Sequence, residues 1–600
     1  MIARSEKRRC RALRAAGRGA AIARLGVAGA ACLLAGAPAR AILSSSDNTI
    51  NGTFVTVNSD VGADRFYNAG YWGSNAIVAN IEAGHVWDGH ETLSLVQSYV
   101  NDPSIDGATR QYDYHATAVG FTIAGLGPEA PGGGFYYYQL GIAPGARLVS
   151  GAIASQWVGN TGEFEAPAGP FAYAYKKIMQ EGVTVDLYPQ FPGFITETRP
   201  ADVVNSSWGY EDNAGTDQMT LTLDALAHKN RQTVTLAAGN HDVGDPQVVG
   251  PASGYNSIAV AALESAATNP VYRDRAGFSN GGPNDYRAPG GIVIQGVRPA
   301  VDIAAPGTNM ILAAYTGTTG TNTGGTDDFV PLPGEEDIRP GLYLFGAAGT
   351  SFAAPIVAGG ASLLVDAGYA TLGGGNSVDG RVIKAVLLNA AKKTPGWTNN
   401  AHTVAGVLTT EQGLDWGVGA GKLDLDRAYD QYLSGTHDLP GLGGGTVLAL
   451  GWDYGRVALA APIEYVLAGD VPAGQMITAT LDWFVNRVLD DVTGEASDVQ
   501  FDNLDLQLWL LAPGGGLGTL VADSVTDYNN VEHIYFLAPD VGQYALRVIY
   551  AGQNYGDPTQ QATDYALAWS VTPPASNAVP EPALLAPAGV AVLLLRRRRR

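Results

Sequence analysis

Between about residue 66 and residue 433, apolar runs of strand length alternate with longer runs rich in small residues. The apolar runs predict strands at Ala76–Ile81, Arg147–Ile153, Asp202–Ser206, Thr233–Ala237, Ser257–Ala262 and Val301–Ala304. The longer runs predict helices at His115–Leu126, Gln218–His228, Ser351–Ala367 and Gly380–Ala391. Strands that alternate with helices are typical of an α/β fold, because parallel neighbours need long crossover connections. The sequence therefore predicts a mainly parallel sheet flanked by helices over 66–433.

Three short motifs put chemically active side chains at the ends of these elements. Ser351 follows the turn Gly349-Thr350 and begins an apolar helix, whose N-terminal N–H groups favour developing negative charge. His115 begins the helix that reads HATAVG, and Glu82 ends the strand that reads IVANIE. The carboxyl end of a parallel strand borders the ligand crevice of such a sheet. Alone, a serine at a helix start is usually a cap, but the three motifs together suggest an acid, a base and a nucleophile.

Four further short segments lie between these motifs along the chain. They read GIAPGA at 141–146, VNSSWG at 204–209, AAGN at 237–240 and AAPG at 304–307. Together with HATAV at 115–119 and GTSFAAP at 349–355, they resemble the subtilase (subtilisin-like) family over about 66–430. The order acid, histidine, serine is also that of subtilisin, and it differs from the order in chymotrypsin and in α/β-hydrolases.

This resemblance implies a serine endopeptidase that acts on proteins or peptides and needs no cofactor for its chemistry. By position, Ser351 is the nucleophile, His115 the general base and Glu82 the residue that orients the histidine. Asn240 is the expected side-chain donor to the oxyanion. The extended segments expected to bind substrate contain Ser207, Trp208, Gly209, Ala237, Ala238 and Gly239.

The chain departs from the usual subtilase pattern at the acid, where Glu82 stands in place of aspartate. The extra methylene moves the carboxylate by about one bond length, roughly 1.5 Å, so the backbone must compensate. Asp88, in the following loop, is the less favoured acid. The related sedolisin family also uses glutamate, but it has aspartate as oxyanion donor, and Asn240 fits the subtilisin pattern instead. The lead-in, 42–65, is too short for a usual inhibitory prodomain. A catalytically impaired surface-binding protein is therefore the second hypothesis.

The pattern changes after a turn-rich linker at 434–446. Apolar and polar residues then alternate strictly, as at 504–510, 544–550 and 565–571. Alternation of this kind predicts an all-β jelly-roll or β-sandwich domain over 447–573, similar to the C-terminal β-barrel of certain alkaline subtilases. Its candidate ligands for structural calcium, with solvated loop acids as the alternative, are Asp502, Asp505, Asp523 and Glu532.

Both ends of the chain have the pattern of targeting segments. Residues 1–41 combine an arginine-rich start, a short apolar run and a small-residue site at Ala39–Ala41, which predicts a signal peptide and export. Residues 574–600 combine Pro-Glu-Pro, an apolar stretch and five terminal arginines. This order resembles a PEP-CTERM sorting signal, and a plain tail anchor is the alternative. The resemblance implies a secreted or envelope-associated bacterial protein whose tail briefly contacts the membrane and its sorting machinery.

Charge and cysteine content narrow the remaining choices. The formal net charge is -21, and nucleic-acid binding requires a basic surface, so a nucleic-acid partner is not expected. The only cysteines, Cys10 and Cys32, both lie in the predicted signal peptide. The mature chain is therefore expected to fold without disulfides.

Overall fold

The fold was analysed in a computed structural model. It describes residues 48–50, 53–55, 57–94, 96–105, 111–126, 140–158, 163–187, 195–241, 247–266, 269–315, 317, 319–320 and 343–573. The predicted signal peptide and sorting tail lie outside the described residues.

Strands and helices alternate through the first two thirds of the chain. The strands here are β1 (Asn48–Ile50), β2 (Thr53–Val55), β3 (Ile77–Glu82), β4 (Ser98–Val100), β5 (Arg147–Ala152), β6 (Gln156–Val158), β7 (Glu163–Glu165), β8 (Val183–Leu187), β9 (Ile195–Arg199), β10 (Val203–Ser206), β11 (Thr233–Ala237), β12 (Ile258–Ala266), β13 (Asn269–Arg275), β14 (Asn284–Arg287), β15 (Val293–Arg298), β16 (Ile303–Pro306), β17 (Met310–Ala313) and β18 (Tyr343–Ala347). The helices are α1 (Val57–Asp60), α2 (Asp64–Asn68), α3 (Tyr114–Ala124), α4 (Ala168–Lys176), α5 (Gln218–Asn230), α6 (Thr350–Ala367), α7 (Gly380–Ala390) and α8 (Leu425–Leu433).

An eight-stranded sheet forms the centre of this part, and its strand order is β13-β12-β11-β10-β3-β5-β4, with β16 also paired to β12. Every pair in it is parallel except β12 with β13. The chain runs from β3 to β5 on one side, and β10, β11 and β12 extend the sheet on the other side. Strand order therefore reverses beside β3, where parallel sheets open a crevice at their carboxyl edge. The predicted mainly parallel α/β fold is confirmed.

Most predicted elements are present with small changes at their ends. β11 has the predicted bounds, and α3, α5, α6 and α7 differ from the predicted helices by at most two residues at an end. Every residue of α6 is buried, because the helix packs against β10, β11, β12 and α3. Within the described residues, the stretch Thr350–Leu372 is long and apolar enough to cross a membrane, but its most apolar 18-residue window is entirely buried in the core.

Two segments assigned to connections also carry structure. Val57 and Val61, in the predicted lead-in, are buried in the same core as the parallel sheet. The predicted linker 434–446 contains the first of the C-terminal strands. After the hairpin β19 (His402–Val404) and β20 (Val407–Thr410), these strands are β21 (Thr436–His437), β22 (Gly445–Val447), β23 (Leu450–Ala458), β24 (Ile463–Leu467), β25 (Met476–Trp483), β26 (Asn486–Leu489), β27 (Ala496–Leu511), β28 (Leu517–Ser524), β29 (Val531–Leu537), β30 (Tyr544–Tyr555) and β31 (Ala562–Thr572).

The C-terminal region is rich in β-strands, as expected, and forms two sheets that share one hydrophobic core. One sheet has the order β19-β20-β28-β27-β30-β24-β22, with β26 paired to β27, and the other has the order β21-β23-β31-β25-β29. In β27, Leu504, Leu506 and Leu508 are buried, whereas Asp505 and Gln507 are partly exposed. The alternation in the sequence thus gives one core-facing side and one polar side.

Buried polar contacts fasten the β-strand-rich region to the α/β part. The guanidinium of Arg487, in β26, is 2.7 Å from Asp224 in α5 and 2.6 Å from Asp498 in β27. Asn256 donates to the carbonyl of Val485 and accepts from its N–H, both at 2.8 Å. The buried charges and amides in this contact are all paired with each other. They hold the β-strand-rich region against α5 and Asn256 of the α/β part.

Candidate active site

Three adjacent strands deliver the candidate residues to the carboxyl edge of the sheet. Glu82 is the last residue of β3, Ser207 follows the last residue of β10, and Asn240 lies three residues beyond β11. The strand order places β3, β10 and β11 side by side. The sequence alone could not give this strand order. The strand order explains why residues so far apart in the chain form one site.

The carboxylate of Glu82 joins two parts of the site. Its Oε2 is 3.0 Å from Nδ1 of His115, and its Oε1 accepts the backbone N–H of Ser207 at 2.7 Å. Its side chain is 1% exposed, whereas that of His115 is 31% exposed. Both oxygens of the longer side chain therefore have partners, and Glu82 rather than Asp88 contacts the histidine. The bond at Nδ1 leaves Nε2 of His115 as the nitrogen for proton transfer.

Two opposing effects act on His115. Burial lowers the pKa of the imidazole, but the negative charge and hydrogen bond of Glu82, with a smaller contribution from Asp113, raise it. The net result is a pKa above the ordinary value of 6.5. A carboxylate partner thus stabilises the imidazolium that a general base forms when it takes a proton.

A buried network positions the helix that carries His115. Asn80, in β3, donates to the carbonyl of Ala116 at 3.0 Å, and Asn205, in β10, donates to Asn80 Oδ1 at 3.3 Å. Asp113 caps the same helix by accepting the N–H of Ala116 at 3.0 Å. Sequence analysis missed both asparagines, although a polar residue inside an otherwise apolar strand was a usable signal.

Ser351, the candidate nucleophile, is the second residue of the buried helix α6. Its hydroxyl donates to the carbonyl of Ser207 at 3.1 Å. The ring of the next residue, Phe352, lies 5.9 Å from the ring of His115, centroid to centroid. This bond to Ser207 is compatible with a nucleophilic serine, because catalytic hydrogen bonds often form only when substrate binds.

A small space beside Gly349 is bordered by two hydrogen-bond donors. Oδ1 of Asn240 accepts from the N–H of Thr350 at 2.7 Å and from its hydroxyl at 2.8 Å. The amide is thereby fixed with its Nδ2 toward Gly349. A Cβ at Gly349 would lie 3.5 Å from that Nδ2 and 3.6 Å from the backbone nitrogen of Ser351. Two donors at the edge of one small space are what an oxyanion next to a serine nucleophile would need.

The segments expected to bind substrate flank this space. Ser207–Gly209 follows β10, and Ala237 ends β11 before Ala238 and Gly239. Gly239 has φ +112°, a conformation that favours glycine. The indole of Trp208 turns inward and donates to the carbonyl of Ile81 at 3.1 Å, so only its backbone is available to a peptide. Contact of these six residues with substrate stays a prediction.

The four acids considered for calcium do not form one site. Glu532 accepts from the N–H and hydroxyl of Thr526 at 2.8 and 2.6 Å, and Asp502 accepts from the hydroxyl of Tyr550 at 2.6 Å. The pKa of Asp505 is raised to about 6 by burial and by the charge of Asp523. Within the described ranges, no group of three or more His, Cys, Asp or Glu is arranged to hold a metal ion.

Comparison with known proteins identifies the family of this chain. The sequence model of the Subtilase family matches residues 89–421, more than half of the chain, including His115, Asn240 and Ser351. The match begins after Glu82. Among solved structures, the prenylagaramide maturation protease PagA is similar at 19% identity over 62% of this chain and 98% of its own, with a TM-score of 0.40. A likeness at that score adds nothing to the assignment. On the family match, this chain belongs to the subtilase family and is a serine-type peptidase that needs no cofactor for catalysis.

Proposed function

We propose that the protein is a secreted serine endopeptidase with a Glu82–His115–Ser351 triad and Asn240 as oxyanion donor. The observation that supports it most is the 3.0 Å contact of Glu82 with Nδ1 of His115, next to a serine at the start of a buried helix. Both oxygens of Glu82 are engaged, which accounts for glutamate at a position where most subtilases have aspartate.

The reaction would proceed through an acyl-enzyme. The Ser351 oxygen attacks the scissile carbonyl carbon while Nε2 of His115 takes its proton. The tetrahedral intermediate collapses, the carbon–nitrogen bond breaks, and His115 returns the proton to the leaving amine. Water then attacks the ester while His115 takes a proton from it, and His115 returns that proton to the Ser351 oxygen as the ester bond breaks and the acid product leaves. Leaving the Ser207 carbonyl costs the hydroxyl one neutral hydrogen bond, about 1 kcal/mol.

Export belongs to the same proposal. Residues 1–41 would be removed as a signal peptide, and the tail at 574–600 would contact the membrane and a sorting machinery before the enzyme is released or retained at the envelope. The N- and C-terminal sequences of protein recovered from the producing cells, read by mass spectrometry, test this part. An N-terminus at Met1 would contradict it.

The direct test of the catalytic proposal is labelling by a fluorophosphonate, a probe that reacts only with an activated serine. We expect the purified wild-type protein to be labelled and Ser351→Ala to be unlabelled. Ser362→Ala is the matched control, because Ser362 lies in the same helix with its hydroxyl bonded to the carbonyl of Ala358 at 2.8 Å. Folded wild-type protein without labelling would favour the surface-binding hypothesis instead.

The raised pKa of His115 predicts how activity depends on pH. Only the neutral imidazole can take the serine proton, so kcat/KM should fall as pH drops through an apparent pKa above 6.5. Glu82→Gln, which removes the negative charge, should lower this apparent pKa of His115. Asp113→Asn, which keeps the helix cap, should lower it less. The check is a pH profile of kcat/KM for the three proteins. An apparent pKa that is the same in all three would contradict this.

Gly349→Ala tests the oxyanion space without removing either donor. The new methyl would lie at ordinary contact distance from Nδ2 of Asn240 and from the nitrogen of Ser351, so folding should be kept while the oxyanion loses its place. We expect kcat to fall by about 10²- to 10³-fold, as when one oxyanion donor is removed. Gly277→Ala, where a Cβ meets nothing within 4 Å, is the control. Unchanged kcat in Gly349→Ala would place the oxyanion elsewhere.

A further inference from the structure

Gly209 and Gly239 both pack against Val249, next to the proposed nucleophile and the proposed oxyanion donor. The narrow gap between the two glycines is called the slot. Gly209 is the last residue of the segment that begins at Ser207. The carbonyl of Ser207 accepts the hydroxyl of Ser351 at 3.1 Å. Gly239 directly precedes Asn240. If the proposed function holds, a peptide whose carbonyl lies beside Asn240 and Ser351 must direct the side chain of that same residue between these two segments. The slot is therefore the place for the side chain that precedes the scissile bond.

Val249 occupies the space between the two glycines. Its Cγ2 lies 2.6 Å from the position that a Cβ of Gly209 would take, and 3.1 Å from the corresponding position at Gly239. The whole residue is only 8% exposed. The isopropyl group thus packs against both glycine backbones, and a ring or a long side chain in the slot would overlap it.

The backbone around Val249 holds this side chain in place. Its N–H donates to the carbonyl of Ala238 at 3.3 Å, which ties it to the second substrate segment. The next residue, Gly250, exchanges two hydrogen bonds with Tyr210, at 2.8 and 3.0 Å, which ties it to the end of the first. Since both flanking segments are bonded to the same stretch, Val249 cannot swing out of the slot without breaking these bonds.

The described atoms nearest the slot are apolar or uncharged. Among the described residues, the atoms nearest the two glycines belong to Val249, to the carbonyl of Gly250 and to the amide of Asn280. That amide is engaged, because its Nδ2 donates to the carbonyl of Gln247 at 2.8 Å.

We infer that Val249 sets the substrate class of this peptidase by closing the slot, so that it cleaves after small residues such as glycine, alanine and serine. The inference deepens the proposed function and rests on it. Large aromatic and long aliphatic residues before the scissile bond are excluded by volume, because they would overlap the side chain of Val249.

The test uses internally quenched peptides that differ only in the residue before the scissile bond, with the cut located by mass spectrometry. For wild type, kcat/KM with alanine should exceed that with phenylalanine by at least about 100-fold, because steric and methylene-scale differences in a closed pocket reach 10- to 200-fold. Val249→Ala and Val249→Gly should raise the phenylalanine-to-alanine ratio by about 10- to 100-fold. Val249→Thr, which keeps the volume, should leave the ratio low.

Two results would overturn the inference. One is wild-type cleavage after phenylalanine as fast as after alanine, and the other is an unchanged ratio in both Val249→Ala and Val249→Gly. Labelling of each protein with the fluorophosphonate keeps this failure apart from failure of the proposed function. Labelled protein that cleaves without the expected preference contradicts only the assignment of Val249. Folded protein that is neither labelled nor active contradicts the proposed function.

Discussion

Replacing Ser351 by alanine is expected to lower kcat by about 10⁶-fold and to change KM little. The hydroxyl is the atom that would form the acyl-enzyme, whereas peptide binding would involve the backbones of other segments. In subtilisin, loss of the serine lowers kcat by about 2 × 10⁶, and the variant remains about 10³- to 10⁴-fold faster than water alone. The same residual rate is expected here, because Asn240 and the N–H at position 351 both remain. Steady-state and single-turnover assays on a quenched peptide would measure these values.

The double variant Ser351→Ala/His115→Ala makes this prediction sharper. Residues that act as one unit give effects that do not add, so the double variant should be about as slow as Ser351→Ala alone. His115→Ala alone should cost about the same. If the two losses multiplied, the serine and histidine would be acting independently, and the proposed triad would be wrong. Thermal melting curves of all three proteins would show whether the fold is kept.

The motifs were enough to predict the elements of the site but not their geometry. The bounds of β11 and the positions of α3, α5 and α6 follow from apolar runs and turn residues, which are local signals. That Glu82 contacts both His115 and the N–H of Ser207 depends on β3 lying next to β10, which is a property of the sheet order. Periodicity carries no information on which strands become neighbours.

The position of Val249 in the proposed slot could not be predicted from local sequence either. Val249 lies in a segment without regular structure, and nothing in its local sequence distinguishes it from Val248. The hydrogen bonds of Val249 to Ala238 and of Gly250 to Tyr210 help to place Val249 between two glycines that are 30 residues apart in sequence. The contact between Arg487 and Asp224 was missed for a similar reason, since it joins residues from two regions that the sequence suggests are separate.

Replacing Glu82 by glutamine is expected to lower kcat by about 10⁴-fold near neutral pH. Glutamine keeps the length of the side chain, and its oxygen can still accept the N–H of Ser207. Its amide nitrogen, however, would donate to Nδ1 of His115 and hold the imidazole in the tautomer with the proton on Nε2. Ser351 would then meet an N–H instead of a base, which is the reason for a similar loss in the corresponding asparagine variant of trypsin. A loss below about tenfold would show that Glu82 does not orient His115.

Glu82→Asp keeps the negative charge of the acid but shortens the side chain by one methylene, so it tests the two properties separately. Aspartate is the residue most subtilases use, yet the backbone here holds His115 and Ser207 at 3.0 and 2.7 Å from a side chain one methylene longer. The shorter carboxylate cannot keep both contacts unless β3 moves, and a displacement near 1 Å costs about 10²-fold in rate. We therefore expect kcat to fall about 10²-fold, while the pKa of His115 stays above that in Glu82→Gln because the charge remains. Activity equal to wild type in Glu82→Asp would mean that the backbone is not adapted to glutamate, and paired pH profiles of kcat/KM decide between the two outcomes.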